Sequence, residues 1–479
     1  MAVLDQLEPK AVFRFFEALC AIPHGSHNTR QVSDWLAAFA RERGLRYTQD
    51  ALGNVILFGP ASPGYEAAEP VILQGHMDMV CVSTPDCTRD LATEGLDLAV
   101  EGDTVYARGS SLGGDDGIAV AMILALLDDK TLPHPAIEAV ITVDEEVGMD
   151  GAMAIDVSAL RSRRMINIDS EDEGVFTVSC AGGCVARCSL PVTRAAAEGE
   201  TLRIALRGLT GGHSGTEIDK RRASATQCIG RVLNALADAA PFRLVSVSGG
   251  EKDNAIATEA AATLVTADPA ALTARCAELG AALRAEFSAT DPALSLTAER
   301  AERAETPMDA ESTARVLDLL RSLPYGVQAM SAGIPGLVET SLNLGILRTD
   351  AATVSATFCV RSSVDEAKQG LKAQLRAVTD RLGGSVDISG DYPGWAYRAD
   401  SPLRELLTAV YTEQYGAAPR VEAIHAGLEC GLFAGKLPGL DCISIGPDLS
   451  EIHTIRERMH IASVRRTWLL LVETLKRMK

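Results

Sequence analysis

The chain has 479 residues, more than one hydrophobic core usually supports, so two domains are expected. Its 47% hydrophobic and 23% charged residues are those of a folded globular protein and exclude a disordered one. A formal net charge of -19 repels phosphate backbones, so nucleic acid is not expected as a partner.

Residues 1–20 scatter Asp5, Glu8, Lys10 and Arg14 among apolar positions, which predicts an amphipathic helix and not a signal peptide. No stretch reaches the ~18 uncharged apolar residues of a membrane span, so no membrane partner is expected and the expected location is the cytoplasm. Residues 70–75 (PVILQG) read as a short apolar strand that delivers His76. Residues 117–127 (GIAVAMILALL) read as a nearly all-apolar helix, hence one buried against a sheet. A strand over 136–143 delivers Asp144, Glu145 and Glu146, and another over 164–168 delivers Asp169. Open α/β sheets collect ligands beyond the carboxyl ends of their strands, where all these groups fall.

From about residue 183 the texture changes. Strand-like 202–206 alternates with helical 222–237 and 272–286. A comparable order then recurs with strands 341–347 and 353–360 and a helix over 366–382. This predicts a second α/β domain, built from two related halves and inserted into the first. A turn at Asp391-Tyr392-Pro393-Gly394 returns the chain, and 424–431, 441–445 and a closing helix over 463–478 complete the first domain. The expected boundaries are 1–182, 183–392 and 393–479, joined by short hinges because no Gly/Ser-rich linker is present. The 11 cysteines are an odd count in a large chain, so reduced thiols are the default; Cys180, Cys184 and Cys188 lack a fourth cluster partner.

Residues two apart on a strand share a side, so Asp78 can take the second ring N–H of a metal-bound His76. Asp115 lies in SLGGDDG, whose glycines allow a tight turn; the competing readings are a helix N-cap and a phosphate loop, the latter lacking Gly-Lys-Ser/Thr. Adjacent Glu145 and Glu146 repel unless neutralised. A cation would bind one and leave the other to take a proton from water. His453 could close the set, with His460 as its competitor, and no His-Glu-x-x-His motif is present. Together these side chains suit two divalent cations sharing Asp115, in a peptide or amide hydrolase. Zinc is the first choice of metal, with manganese or cobalt as alternatives.

The segments GHMDMV, SLGGDDGIA, TVDEEVGMDGA, INIDSEDEG, GGHSGTEI and HAGLECGLF, in this order over essentially the whole chain, closely resemble the di-zinc exopeptidase family of carnosinases, aminoacylases and desuccinylases. The last two favour its dipeptidase branch. The resemblance implies an α/β zinc-exopeptidase-like catalytic domain with a mixed central sheet, interrupted by an inserted α/β lid. It implies one zinc on His76, Asp115 and Asp169 and the other on Asp115, Glu146 and His453. Glu145 would be the general base, Asp78 the orienting carboxylate and His213 the donor to the oxyanion. Asn254, Arg361 and His425 would contact substrate, with Glu429 lining the pocket. The Asp115-Asp116 bond would be cis, and Asp116 stands where this branch more often has Asn. The implied activity is hydrolysis of unblocked dipeptides, Xaa-His and β-alanyl-histidine among them; an N-acyl amino acid amidase and a non-catalytic binding protein are the rivals. The implied partner is a small peptide substrate, and a homodimer is left open.

Overall fold

The structure is a computed structural model that describes residues 3–302 and 305–479, in two compact units. Unit 1 holds Met1–Ser179, Tyr397–Ala423 and Leu428–Lys479; unit 2 holds Cys180–Ala396 and Ile424–Gly427.

Unit 1 is built on an eight-stranded sheet in the order Arg46–Gln49, Val55–Gly59, Ile137–Thr142, Val71–His76, Arg164–Asn167, Asp441–Ser444, Val175–Cys180 and Arg420–Ile424. The strands Ile137–Thr142, Val71–His76, Arg164–Asn167 and Asp441–Ser444 run parallel, while the pairings toward Arg46–Gln49 are antiparallel, so the sheet is mixed. The parallel strands are buried on both faces, which explains their unbroken apolar runs. His76 lies opposite Thr142 and Gln74 opposite Asn167, so the loops carrying Asp78, Glu145 and Asp169 leave from one edge.

The apolar helix Gly114–Asp128 packs on strand Val71–His76. Gly75 permits that approach, since a Cβ there would sit 2.7 Å from the Ala119 Cβ. Asp115 and Asp116 have non-helical dihedrals, so the regular helix starts at about Gly117, and the Asp115-Asp116 bond is cis. The N-terminal helix differs from expectation: it begins at Lys10, after Pro9, which lacks an N–H to donate. Before it the chain folds back, with the Val3 and Leu4 N–H groups donating to the Glu17 carboxylate at 2.6 and 3.1 Å. Met1 and Ala2 of the expected helix lie outside the described residues.

Unit 2 is built on an antiparallel sheet whose main path runs Ser295–Arg300, Glu200–Arg207, Ala260–Thr266, Phe242–Gly249, Val338–Thr349, Thr353–Ser362, Gly182–Pro191 and Ser385–Tyr392. Two βαββαβ halves compose it. The inner half uses the first four strands of that path, with helices Ala225–Ala237 and Pro269–Glu286. The outer half has Gly182–Pro191 as its first strand and helices Ala310–Ser322 and Asp365–Arg381. In both halves the first strand lies between the third and the fourth, and the two second strands meet where Gly249 pairs with Leu347. The inner half is spliced between the first strand and first helix of the outer one, and one apolar core runs beneath both. Cys180, Cys184 and Cys188 are buried on strands, and Cys184 and Cys188 are free thiols.

Candidate active site

In unit 1 the loops at the carboxyl edge bring together His76, Asp78, Asp115, Glu145, Glu146 and Asp169, and a turn between the short strands Leu449–Ser450 and Arg458–His460 adds His453. His76 Nε2 is 3.1 Å from Asp115 Oδ1 and 3.6 Å from Asp169 Oδ1. His453 Nε2 is 3.1 Å from Asp115 Oδ2 and 2.9 Å from Glu146 Oε2. Tetrahedral zinc with ligands at ~2.0 Å has donor atoms ~3.3 Å apart, so these spacings are those of ligand-shell edges. Each oxygen of Asp115 faces a different imidazole, the arrangement a bridging carboxylate requires. His460 ends a strand paired with Thr104 and plays no part in the cluster. Asp116 also comes near, its ligand atom within 4.8 Å of those of His76 and Asp169. It is buried, and its Oδ2 accepts the His76 backbone N–H at 3.2 Å.

The electrostatics favour a cation. Burial alone would keep His76 neutral, yet the carboxylates of Asp115, Asp169 and Asp78 raise its pKa well above the ordinary value. Asp115 and Glu146 push His453 up to about 10. The acidic cluster thus favours positive charge at both imidazoles, the charge that metal ions would supply. Burial raises Asp169 to about 6, against the pull of His76. Glu146 Oε1 is buried without a hydrogen-bond partner, an orphan that a ligand would satisfy. The His/Asp/Glu donor set therefore fits divalent metal ions.

Glu145 stands beside this cluster. Burial raises its carboxyl well above the usual range, helped by Asp169, Glu429 and Glu146. Asp78 is buried, and its carboxylate accepts the backbone N–H groups of Glu145 at 3.1 Å and Glu146 at 3.4 Å. His76 Nδ1 lies nearer the Asp78 carbonyl oxygen, at 3.0 Å, than its carboxylate, at 3.4 Å. Glu429 is fully buried, takes hydrogen bonds from Gln74 and Thr142, and acts electrostatically on Glu145.

Unit 2 carries the remaining expected residues. His213 sits on the short strand Gly212–His213. Its Nδ1 accepts the Thr216 backbone N–H at 3.2 Å, so the neutral ring bears its proton on Nε2. Burial and nearby Arg361 lower its pKa, which favours the neutral ring. Asn254 is exposed, and its carbonyl accepts the Ser214 N–H at 2.9 Å. His213 and Asn254 line a groove of about 860 Å3 together with Arg203, Arg207, Lys252 and Arg348. Arg361 and His425 lie outside that lining. Arg361 is buried with its Nε unpartnered. His425 Nε2 is 2.7 Å from the Ser341 hydroxyl, and burial pushes the ring down to about 4.

Residues 72–477 match the profile of peptidase family M20/M25/M40. The chain belongs to that family. It is 35% identical over 480 residues to the cytosol non-specific dipeptidase of Escherichia coli (strain K12), covering 99% of each chain. The crystal structure of aminoacylhistidine dipeptidase from Vibrio alginolyticus superposes with a TM-score of 0.94 at 33% identity, over 99% of this chain and 97% of that one. Aminopeptidase PepT from Bacillus cereus, at 16% identity and a TM-score of 0.56 over 98% and 99% of the two chains, shares the fold.

Sequence reasoning missed two supports in this M20/M25/M40 family site. Glu457 accepts the backbone N–H groups of Leu112, Gly113 and Gly114 at 2.7, 3.1 and 2.8 Å, tying the His453 turn to the loop that carries Asp115. Ser26 donates to Asp78 Oδ2 at 2.9 Å. Neither lies in a motif; the only signal for Glu457 was a run of N–H groups in SLGGDDG that needed an acceptor.

Proposed function

We propose that this chain is a cytoplasmic dipeptidase that uses two divalent cations, zinc first, to hydrolyse unblocked dipeptides, Xaa-His and β-alanyl-histidine among them. The observation that carries the reading is Asp115, whose two oxygens each lie 3.1 Å from a different histidine Nε2. The names of the Escherichia coli and Vibrio alginolyticus relatives supply the substrate class. Among the described residues, no helix is long and apolar enough to cross a membrane.

His76, Asp115 and Asp169 would hold one ion, and Asp115, Glu146 and His453 the other. Bound there, the ions would polarise the scissile carbonyl and acidify water. Glu145 takes the proton from the attacking water and returns it to the leaving amine, a task suited to a carboxyl whose pKa burial has raised. Asp78 fixes Glu145 by holding its backbone N–H. His213 offers a neutral Nε2–H to the oxyanion, and Arg361, Asn254 and His425 contact the substrate.

The test is turnover of alanyl-histidine, β-alanyl-histidine and N-acetyl-histidine by purified protein with measured metal content. The first two are expected to be cleaved, with activity lost on chelation and restored by zinc. Glu145→Gln is expected to keep its metal and lose turnover. Cleavage of the acetylated compound alone would make the protein an amidase, and full activity in Glu145→Gln would remove the assigned base.

A further inference from the structure

We propose that Ser26 is a positioning residue that sets Glu145 and Glu146 by holding the Asp78 carboxylate. This rests on the metallo-dipeptidase reading above. Ser26 lies in the loop between helices Lys10–Cys20 and Arg30–Arg43, far in sequence from every other residue of the site.

That loop is laid along the strand end that carries Asp78. Gly25 forms a parallel bridge with Met79, and the Ser26 N–H donates to the Met79 carbonyl at 3.2 Å. Gly25 eases the approach, since a Cβ there would stand 2.6 Å from Cys81 Sγ and displace that side chain. One residue on, the His27 N–H donates to Asp144 Oδ1 at 2.6 Å, and its ring Nδ1 is 3.5 Å from Asp144 Oδ2. The loop therefore grips both the strand end before the site and the turn that presents Glu145.

Asp78 is 1% exposed, so its charge depends on the donors around it. Oδ1 faces the Glu145 N–H at 3.1 Å and His76 Nδ1 at 3.4 Å. Oδ2 faces the Glu146 N–H at 3.4 Å and the Ser26 hydroxyl at 2.9 Å. The Ser26 contact is the shortest of the four and the only one from outside the strand and turn being positioned. Without it Oδ2 keeps a single long bond, and the carboxylate is held chiefly through Oδ1, with more freedom to rotate about its Cβ–Cγ bond. The common anchor of the peptide groups bearing the proposed base and a proposed ligand is then loosened. Because the His76 ring is held more closely by the Asp78 carbonyl, the disturbance falls on Glu145 and Glu146.

The experiment compares the full chain, zinc-loaded, as wild type, Ser26→Ala, Ser26→Thr, Asp78→Asn and the Ser26→Ala/Asp78→Asn double variant. Steady-state kinetics use alanyl-histidine, and zinc retention is read by competition with a chromogenic chelator. Misplacement of a catalytic group by about 1 Å costs up to ~100-fold, so a partial loosening predicts a kcat roughly tenfold lower in Ser26→Ala with KM little changed. Ser26→Thr, which keeps the hydroxyl, is expected to recover most of kcat. Adding Ser26→Ala to Asp78→Asn is expected to cost nothing further, because the two act in series. Zinc is expected to leave Ser26→Ala several-fold more readily than wild type, by about the same partial loosening. An unchanged kcat and zinc retention in Ser26→Ala, or losses that multiply in the double variant, overturn the proposal. Wild-type protein inert toward dipeptides but with Ser26-dependent zinc retention would refute the dipeptidase reading and leave the positioning role standing.

Discussion

Replacing Glu457 by Gln tests how firmly the Asp115 loop is held. In the wild type Oε2 accepts from Leu112 and Gly113 and Oε1 from Gly114, all buried. An amide oxygen can keep the first two bonds, but the NH2 group then faces the Gly114 N–H, donor against donor. One charge-assisted hydrogen bond is lost, worth ~1.5–3 kcal/mol. Taking about 2 kcal/mol, and ~2–4 °C per kcal/mol for a unit of this size, Tm falls by about 4–8 °C. The same loop carries Asp115, so part of that loss reaches metal binding, where each ~1.4 kcal/mol is tenfold in affinity. The assay is thermal unfolding followed by circular dichroism, metal-free and zinc-loaded, with chelator competition for affinity. A metal-free Tm within about 1 °C of wild type, with unaltered zinc affinity, would refute the idea that this carboxylate organises the loop.

Two further outcomes are expected. His213→Ala should lower kcat by ~100- to 1000-fold, the usual cost of an oxyanion donor, with smaller change in KM; a kcat within about fivefold of wild type would dismiss that role. His425, pushed down to about 4 from 6.5 by burial, is neutral in the folded chain. Because its folded pKa is depressed, its contribution is fully present above pH 6.5 and lost as pH falls from there toward 4. The shift corresponds to about 3 kcal/mol. Urea midpoints of wild type should therefore decline more steeply over that window than those of His425→Gln, and parallel profiles would contradict the assignment.

The parts of the fold that were legible in the sequence are those where burial alone dictates residue type. Strands Val71–His76 and Ile137–Thr142 are buried on both faces, and the apolar face of helix Gly114–Asp128 is continuous, so each showed as an unbroken run. Their polar successors stood out because charged and metal-ligating side chains follow the apolar run directly. His453 was separable from His460 because the latter continues into strand and helix. What stayed hidden depends on contacts between distant backbones. Ser26 and Glu457 act on N–H groups or on a carboxylate far along the chain, and their own neighbours carry no period or spacing that reveals it. The late start of the first helix at Lys10 was concealed for a related reason. Val3 and Leu4 satisfy an amphipathic pattern equally well when folded back onto Glu17. Residues 424–427 group with unit 2, although the turn near 391–394 suggested a complete return to the first domain.

The nesting of one βαββαβ half inside the other has a consequence for how the chain emerges during synthesis. Strand Gly182–Pro191 pairs with Thr353–Ser362 and Ser385–Tyr392, so both its edges stay open until the whole inner half has been made. The inner half closes its own four strands by Arg300 and can condense first, leaving the earlier strand waiting at its side. An apolar ribbon with two bare edges is a target for mispairing, so a ribosome paused between residues 300 and 353 exposes this protein at its most aggregation-prone.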